Sequence, residues 1–415
     1  MSQLSTVFFL LAVYFVALEA AKEKKACDAK KGGAKNPSEL TGKALVDYIN
    51  KHATWKAEFR KQFVRTKLAD LKKLAGVKPD TLRVYARESK HQSDFAPQFF
   101  SRLSESDLPK EFDSRKQWPE CSKHINIIAD QSSCGHISST SALSDRFCIS
   151  SRGKIQVELS AFDLVSCCTE CGTSCIGGYP IRAYNYMQEQ GVVTGGSNYT
   201  EKRGCLSYPY KNERKEKCRT FQLIRSFLLS LSLSTDNHYC DVLNSPCEHG
   251  NGDEIGNFPV CFHRSYKPTC QRKCSNKKYA NSFDEDKYYA LDSYTFNNNP
   301  ISVQKELYTN GPLVFTALRL YTDFLYYRSG VYEHKAGRFL GLHAVRVIGW
   351  GEEKGVPYWL VANSWNEDWG DKGLFKIKRG TNECGIESVA DVGIPDLERS
   401  ANAPGAIGDE GEEEC

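Results

Sequence analysis

Gly341-Leu342-His343-Ala344, followed about one strand later by Asn363-Ser364-Trp365, is the stretch on which the reading of this chain turns. A histidine at the head of an apolar strand and an asparagine at the end of the next have the layout of an acid–base pair. The asparagine oxygen holds one ring nitrogen and leaves the other free to work on a thiol or hydroxyl. The flanks fit this reading, because 344–348, 358–362 and 374–378 are apolar, β-branched or alternating runs separated by glycine-bearing turns. The chain after about residue 300 is therefore expected to be β-rich.

Upstream the character changes. Cysteines crowd between Cys121 and Cys274, broken by Gly172, Gly177, Gly178, Gly195 and Gly196. Such a region leans on disulfides as much as on a core. Further upstream, Leu40, Leu45, Val46, Tyr48, Ile49, Trp55, Phe59, Phe63, Leu68, Leu71 and Leu74 recur at helical spacing among charges. This helical segment, 38–76, has little core of its own and is expected to pack on something else. Residues 77–107 are polar, lack clear periodicity and read as an extended linker. Residues 22–35 are a lysine-rich leader.

The 415 residues allow two or three domains and a sizeable core. A formal net charge of +4 gives no hint of a nucleic-acid partner. Residues 1–20 read as a secretory signal: 6–17 is almost wholly apolar, with Ala20 and Ala21 at a cleavage site, although the positive leading region is missing. That apolar run is short for a membrane span. Export accounts for the 17 cysteines, which an oxidising compartment turns into cross-links. It also suits the sequon Asn198-Tyr199-Thr200. The end, 398–415, is small and acidic and reads as a disordered tail. Residues 211–240 combine a charge run with a Leu/Ser alternation, an insertion without an evident structural role.

Eleven strings carry a resemblance. They are Trp118-Pro119-Glu120-Cys121, Asp130-Gln131, Ser144-Asp145-Arg146-Phe147-Cys148, Cys167-Cys168, Cys175-Ile176-Gly177-Gly178-Tyr179-Pro180, Pro246-Cys247-Glu248-His249, Asn310-Gly311-Pro312, His343-Ala344, Asn363-Ser364-Trp365-Asn366, Asp368-Trp369-Gly370 and Cys384-Gly385-Ile386-Glu387-Ser388. In this order they resemble the cathepsin B-like cysteine peptidases of the papain family. The resemblance implies an α+β fold, with a helical left domain, a β-rich right domain and the active site between them. It implies a zymogen, with 21–107 as propeptide and 108–397 as peptidase domain. Its partners would be protein or peptide substrates, its own propeptide and cystatin-type inhibitors. It implies a monomer without cofactor, metal, nucleic-acid or membrane partner. The Cys/Gly-dense stretch 167–178 is read as disulfide rather than zinc.

Roles carry over residue by residue. His343 would move protons, Asn363 orient its ring, Trp365 shield their hydrogen bond and Gln131 help bind the oxyanion. Gly177 and Gly178 would pair with substrate backbone. The position whose acid lets relatives accept arginine in the second unprimed pocket falls on Val389, which implies an apolar preference. His249 matches the first of two carboxylate-capturing loop histidines and would pair with Asp130. The second position is Gly250, so capture is in doubt.

The nucleophile is where the chain departs from the family form C-G-[SA]-C-[WY]. Here Cys134 is followed by Gly-His-Ile-Ser. Counted forward from Gln131, the nucleophile position falls on Ile137; counted back from Ser144, it falls on Cys134. The two counts differ by 137 − 134 = 3 residues. In one interpretation Cys134 is the bridging cysteine that pairs with Cys175, no nucleophile exists, and the protein is a secreted peptide- or inhibitor-binding pseudoenzyme. In the other, Cys134 is the nucleophile and Cys175 loses its partner. Pairing arithmetic favours the first, because the resemblance implies bridges Cys121–Cys148, Cys167–Cys270, Cys168–Cys171, Cys205–Cys274 and Cys247–Cys261, with Cys384 free. Cys27, Cys218, Cys240 and Cys415 fall outside this pattern. Ser138 makes a poor substitute nucleophile, one place off and without activation. A mis-joined exon would produce both the short segment and the 211–240 insertion.

Overall fold

A computed structural model of the chain describes residues 36–88, 103–130, 137–172, 177–196, 204–206 and 269–400. The leader, Gln131, Cys134, Cys175, Asn198, the 211–240 insertion, the Cys247–Cys261 bridge and His249 lie outside the described residues.

The helical spacing in 38–76 becomes α1 (Gly42–His52), strand β1 (Lys56–Ala57), α2 (Lys61–Arg65) and α3 (Leu68–Leu71). In α1, Leu45, Val46 and Ile49 fall on one stripe and are buried. These helices own no separate core. Leu45, Ile49, Trp55, Phe63 and Leu74 belong to one continuous cluster with Phe324, Tyr332 and Trp369 of the β-rich half. β1 joins β5 (Tyr327–Ser329) as an antiparallel pair. The Trp55 indole is fully buried and donates to the Glu333 carbonyl at 2.8 Å.

The expected extended linker is partly a helix. Thr81–Glu88 forms α4, with Thr81, Val84 and Tyr85 buried at helical spacing. Two turns with one short apolar stripe give too little periodicity to detect in sequence.

The next layer comprises β2 (Phe112–Asp113), α5 (Ser114–Gln117), α6 (Ser122–Ile125), α7 (Ile137–Ser150), α8 (Ala161–Cys167) and α9 (Pro180–Glu189). Ser160 caps α8 by accepting from the Asp163 amide, and Pro180 opens α9, where its missing N–H costs nothing. Leu143, Phe147, Leu164, Tyr184 and Met187 make the core of this helical half. Four disulfides lie within the described residues: Cys121–Cys148, Cys167–Cys270, Cys168–Cys171 and Cys205–Cys274. Each is a pair the resemblance implied, and Cys384 is free, also as implied.

The rest is a sheet with α10 (Pro300–Asn310) against it. Its strands are β3 (Tyr289–Phe296), β4 (Leu313–Tyr321), β6 (Val331–Tyr332), β7 (Phe339–Glu353), β8 (Val356–Ala362), β9 (Leu374–Lys378) and β10 (Ala390–Asp396), in the order β3-β10-β4-β7-β8-β9-β6, with β2 on β7. The central strands β4 and β7 are buried along most of their length, as their continuous apolar runs require. The described chain ends in a turn held against β3. Ser400 is fully buried and its Oγ accepts from the Tyr289 amide, while Arg399 stacks on the Tyr289 ring.

Candidate active site

β7 and the end of β8 bring the two opening motifs together. His343 Nε2 and Asn363 Oδ1 are 2.9 Å apart, and both residues are buried. The Trp365 indole stacks on the imidazole, with centroids 5.2 Å apart at 26°, and so covers the bond. The accepting Asn363 oxygen requires the proton on Nε2, which leaves Nδ1 as the working nitrogen. His343 Nδ1 has no hydrogen-bond partner among the described residues. Burial pulls the His343 pKa down to about 4, against the opposing pull of the Asn363 hydrogen bond.

The chain's own N-terminal segment runs beside the strand that carries His343. Val77 N donates to Leu342 O at 3.1 Å, Lys78 N to Gly178 O at 3.1 Å, and Gly178 N to Gly76 O at 3.2 Å. Residues 76–78 thus run as a strand between Gly178 on one wall and Leu342, beside His343, on the other. Gly177, at φ +91°, makes the approach possible: a Cβ there would stand 3.3 Å from the backbone of Gly76 and Val77.

The helix that should carry the nucleophile is held by two buried ion pairs. Asp145 meets Arg346 at 2.6 Å, and Arg146 meets Glu306 at 2.7 Å while donating to the carbonyls of Pro312 and Gly311. With Cys148 bridged to Cys121, these contacts fix the α7 register at Ser144–Cys148. Ile137 is buried against Ala129 and Ala161, the environment of a core aliphatic residue. Ser138 Oγ donates to the Ala344 carbonyl at 2.9 Å, so this hydroxyl is engaged with backbone. On the opposite side, Asn366 N donates to Ala129 O, and Asp130 bridges Trp365, so the chain just before Gln131 is tied to the Asn363 loop.

Val389 is buried in a wall with Val84, Tyr85 and Ile181. Beyond this apolar wall lies a cluster of polar groups. Tyr85 and Thr316 both donate to Asp391 Oδ2, and the Ile181 amide donates to the Tyr85 oxygen at 3.1 Å. Sequence reasoning missed Asp391, Thr316 and Tyr85. The available signal was strand alternation, because a residue two beyond Val389 shares its face.

This arrangement has known counterparts. Residues 108–394 match the profile of the papain family cysteine proteases, and the chain belongs to that family. Its relatives carry cathepsin B-like names. It is 39% identical over 368 residues to cathepsin B-like cysteine proteinase 6 of Caenorhabditis elegans, covering 87% of this chain and 85% of that protein. It is 38% identical over 358 residues to a cathepsin B-like cysteine proteinase of Schistosoma japonicum, covering 84% and 90%. A procathepsin B from Trypanosoma congolense superposes with a TM-score of 0.63 at 32% identity, covering 86% of this chain and 99% of that one.

Proposed function

We propose that this chain is the zymogen of a secreted or lysosomal cathepsin B-like peptidase, with Cys134, His343, Asn363 and Gln131 as its working residues. The observation that carries this reading is the buried His343–Asn363 pair with the chain's own 76–78 segment hydrogen-bonded between Leu342, beside His343, and Gly178. Residues 21–107 would be the propeptide and 108–397 the enzyme, entering the export route through the 1–20 signal.

In the reaction, His343 Nδ1 takes the Cys134 thiol proton and the thiolate attacks the peptide carbonyl carbon. The Gln131 amide and the Cys134 backbone N–H stabilise the oxyanion. Collapse breaks the C–N bond as the imidazolium returns its proton to the leaving amine. Water, deprotonated by the same nitrogen, then releases the acyl group from sulfur. Asn363 keeps the ring in place throughout. The fixed register at Ser144–Cys148 supports the count that ends on Cys134, and the core burial of Ile137 argues against the count that ends there.

A second reading rests on the 131–144 segment being three residues shorter than the family pattern. There Cys134 bridges Cys175, and the protein binds peptides or inhibitors without cutting. The deciding experiment acidifies the full-length chain and follows both release of the N-terminal segment and hydrolysis of a fluorogenic peptide. The peptidase reading expects both, and expects Cys134→Ala to abolish both. A mapped Cys134–Cys175 bridge without turnover leaves the binding reading. Undiminished hydrolysis by Cys134→Ala means the nucleophile lies elsewhere.

A further inference from the structure

Tyr85 is 2% exposed and seated among Val84, Tyr179, Ile181 and Val389, next to the strand that crosses the cleft. One atom, its phenolic oxygen, serves two masters. It accepts from the Ile181 amide at 3.1 Å and donates to Asp391 Oδ2, to which Thr316 also donates. The Ile181 N–H lies in the first turn of α9, where helix amides have no partner in their own helix. Asp391 is 1% exposed, and no cation is among the groups that shift its ionisation.

We propose that Asp391, Thr316 and the Ile181 amide form the floor of a pocket that selects tyrosine as the second residue on the N-terminal side of the bond to be cut; Tyr85 occupies it in the zymogen. The inference rests on the peptidase reading above for the direction of the substrate. The selection follows from hydrogen-bond accounting. A phenylalanine would fill the apolar walls but leave the Ile181 amide and an Asp391 lone pair without partners. An arginine could donate to Asp391 but has no acceptor to offer Ile181. An aromatic ring ending in a single atom that both donates and accepts answers the Ile181 amide and Asp391 Oδ2 together, leaving only Asp391 Oδ1 of this floor without a partner among the described residues, and a site built to hydrogen-bond a hydroxyl discriminates against its absence strongly.

Two measurements test this, and they fail separately. In the full-length chain, Tyr85→Phe is compared with wild type by hydrogen exchange of the 76–88 amides. The expected result is about tenfold more frequent opening, the cost of one hydrogen bond to a buried acidic group. Equal protection overturns the proposal. The acid-processed enzyme is then given peptides differing only at the second unprimed position. Tyrosine is expected to exceed phenylalanine in kcat/KM by about tenfold or more, with Asp391→Leu reversing the order. Equal rates for the two overturn it. If no peptide is turned over, the peptidase reading fails instead, and the exchange result alone decides the pocket: increased opening keeps it as a tyrosine-binding site, and unchanged opening removes it.

Discussion

Asp145 on α7 and Arg346 on β7 meet at 2.6 Å with almost no exposure, so the helix that leads back to Cys134 is bolted to the strand that carries His343. Arg346 also donates to the carbonyls of Ile125 and Ile127, and so gathers the approach to Asp130 into the same knot. The knot ties α7, the strand of His343 and the backbone of Ile125 and Ile127 into one buried unit.

Asp145→Ala should therefore be expensive. It leaves the Arg346 guanidinium buried without its charge partner, a change that typically costs about 3–5 kcal/mol. Urea unfolding of the full-length chain should show a loss of that order. Asp145→Asn, which keeps an acceptor, should cost less. Equal and small losses for both would mean that water reaches this pair and that the knot does not hold α7.

A second prediction concerns Trp55, a fully buried aromatic anchor of the N-terminal segment. Its ring lies 5.0 Å from that of Tyr332 and 5.9 Å from that of Tyr327. Trp55→Ala removes an aromatic payload and the Glu333 hydrogen bond, a truncation worth about 3–5 kcal/mol in a buried site. Because the segment has no core apart from its contact with the sheet, whereas the sheet keeps its own strand pairing, the loss should appear as undocking. Amide exchange should accelerate by at least about a hundredfold in 42–52, with β4 and β7 still protected. Accelerated exchange in the sheet as well would show that the segment is integral to the domain rather than docked on it.

The course of that segment was only half legible in the sequence. Eleven apolar residues at helical spacing announced helices that needed a partner surface, and the motif residues His343 and Asn363 announced their pairing. Gly177 and Gly178 read as an open edge because nothing but glycine admits another backbone so closely. What stayed hidden was long-range. The α4 stripe is too short to count. The role of Asp391 depends on a phenol 306 residues away in sequence, a distance at which a local pattern carries no information. Asp391, two positions beyond Val389, accepts from both Tyr85 and Thr316, and Val389 itself gives no sign of it.

The pH dependence of stability should be bidirectional. Burial pushes Asp145 up to about 6 and Asp391 up to about 7. Both carboxyls hold protons in the folded chain that the unfolded chain has released. Their contribution is complete below the ordinary carboxyl value and is lost as pH climbs through about 6 and 7. His343, depressed to about 4, acts in the opposite direction: its contribution is present above the ordinary imidazole value and is lost as pH falls towards 4. The three together predict that the full-length chain loses stability between pH 5 and 8, roughly as two carboxyls outweigh one imidazole. Thermal unfolding across that range checks the sum. The His343 Cε1 proton shift checks the single site, which should titrate near 4 in the zymogen and higher once the 76–78 strand has left. A midpoint near the ordinary imidazole value in the zymogen would mean that the segment does not seal the pair.

The last prediction uses the two cysteines that the pairing scheme treats most differently. Cys384 is a free thiol, yet burial raises its pKa far above the ordinary value, and the neighbouring Glu383, which accepts from its Sγ at 3.2 Å, pushes the same way. Thiol reactivity follows the thiolate, so Cys384 should resist iodoacetamide at pH 8 by at least about tenfold relative to an unhindered peptide cysteine. Cys134, if it is the nucleophile, should do the reverse once the N-terminal segment is released: an epoxide directed at active-site thiolates should label it at mildly acidic pH, where ordinary thiols are silent. Peptide mapping after both treatments separates the cases. Label on Cys134 with Cys384 spared supports a working thiolate beside His343. Label on Cys384 at the rate of a free peptide thiol would contradict the packing around Glu383, whatever Cys134 does. Label on neither, with Cys134 recovered in a bridge to Cys175, would mean that the acid–base pair has outlived the sulfur it served.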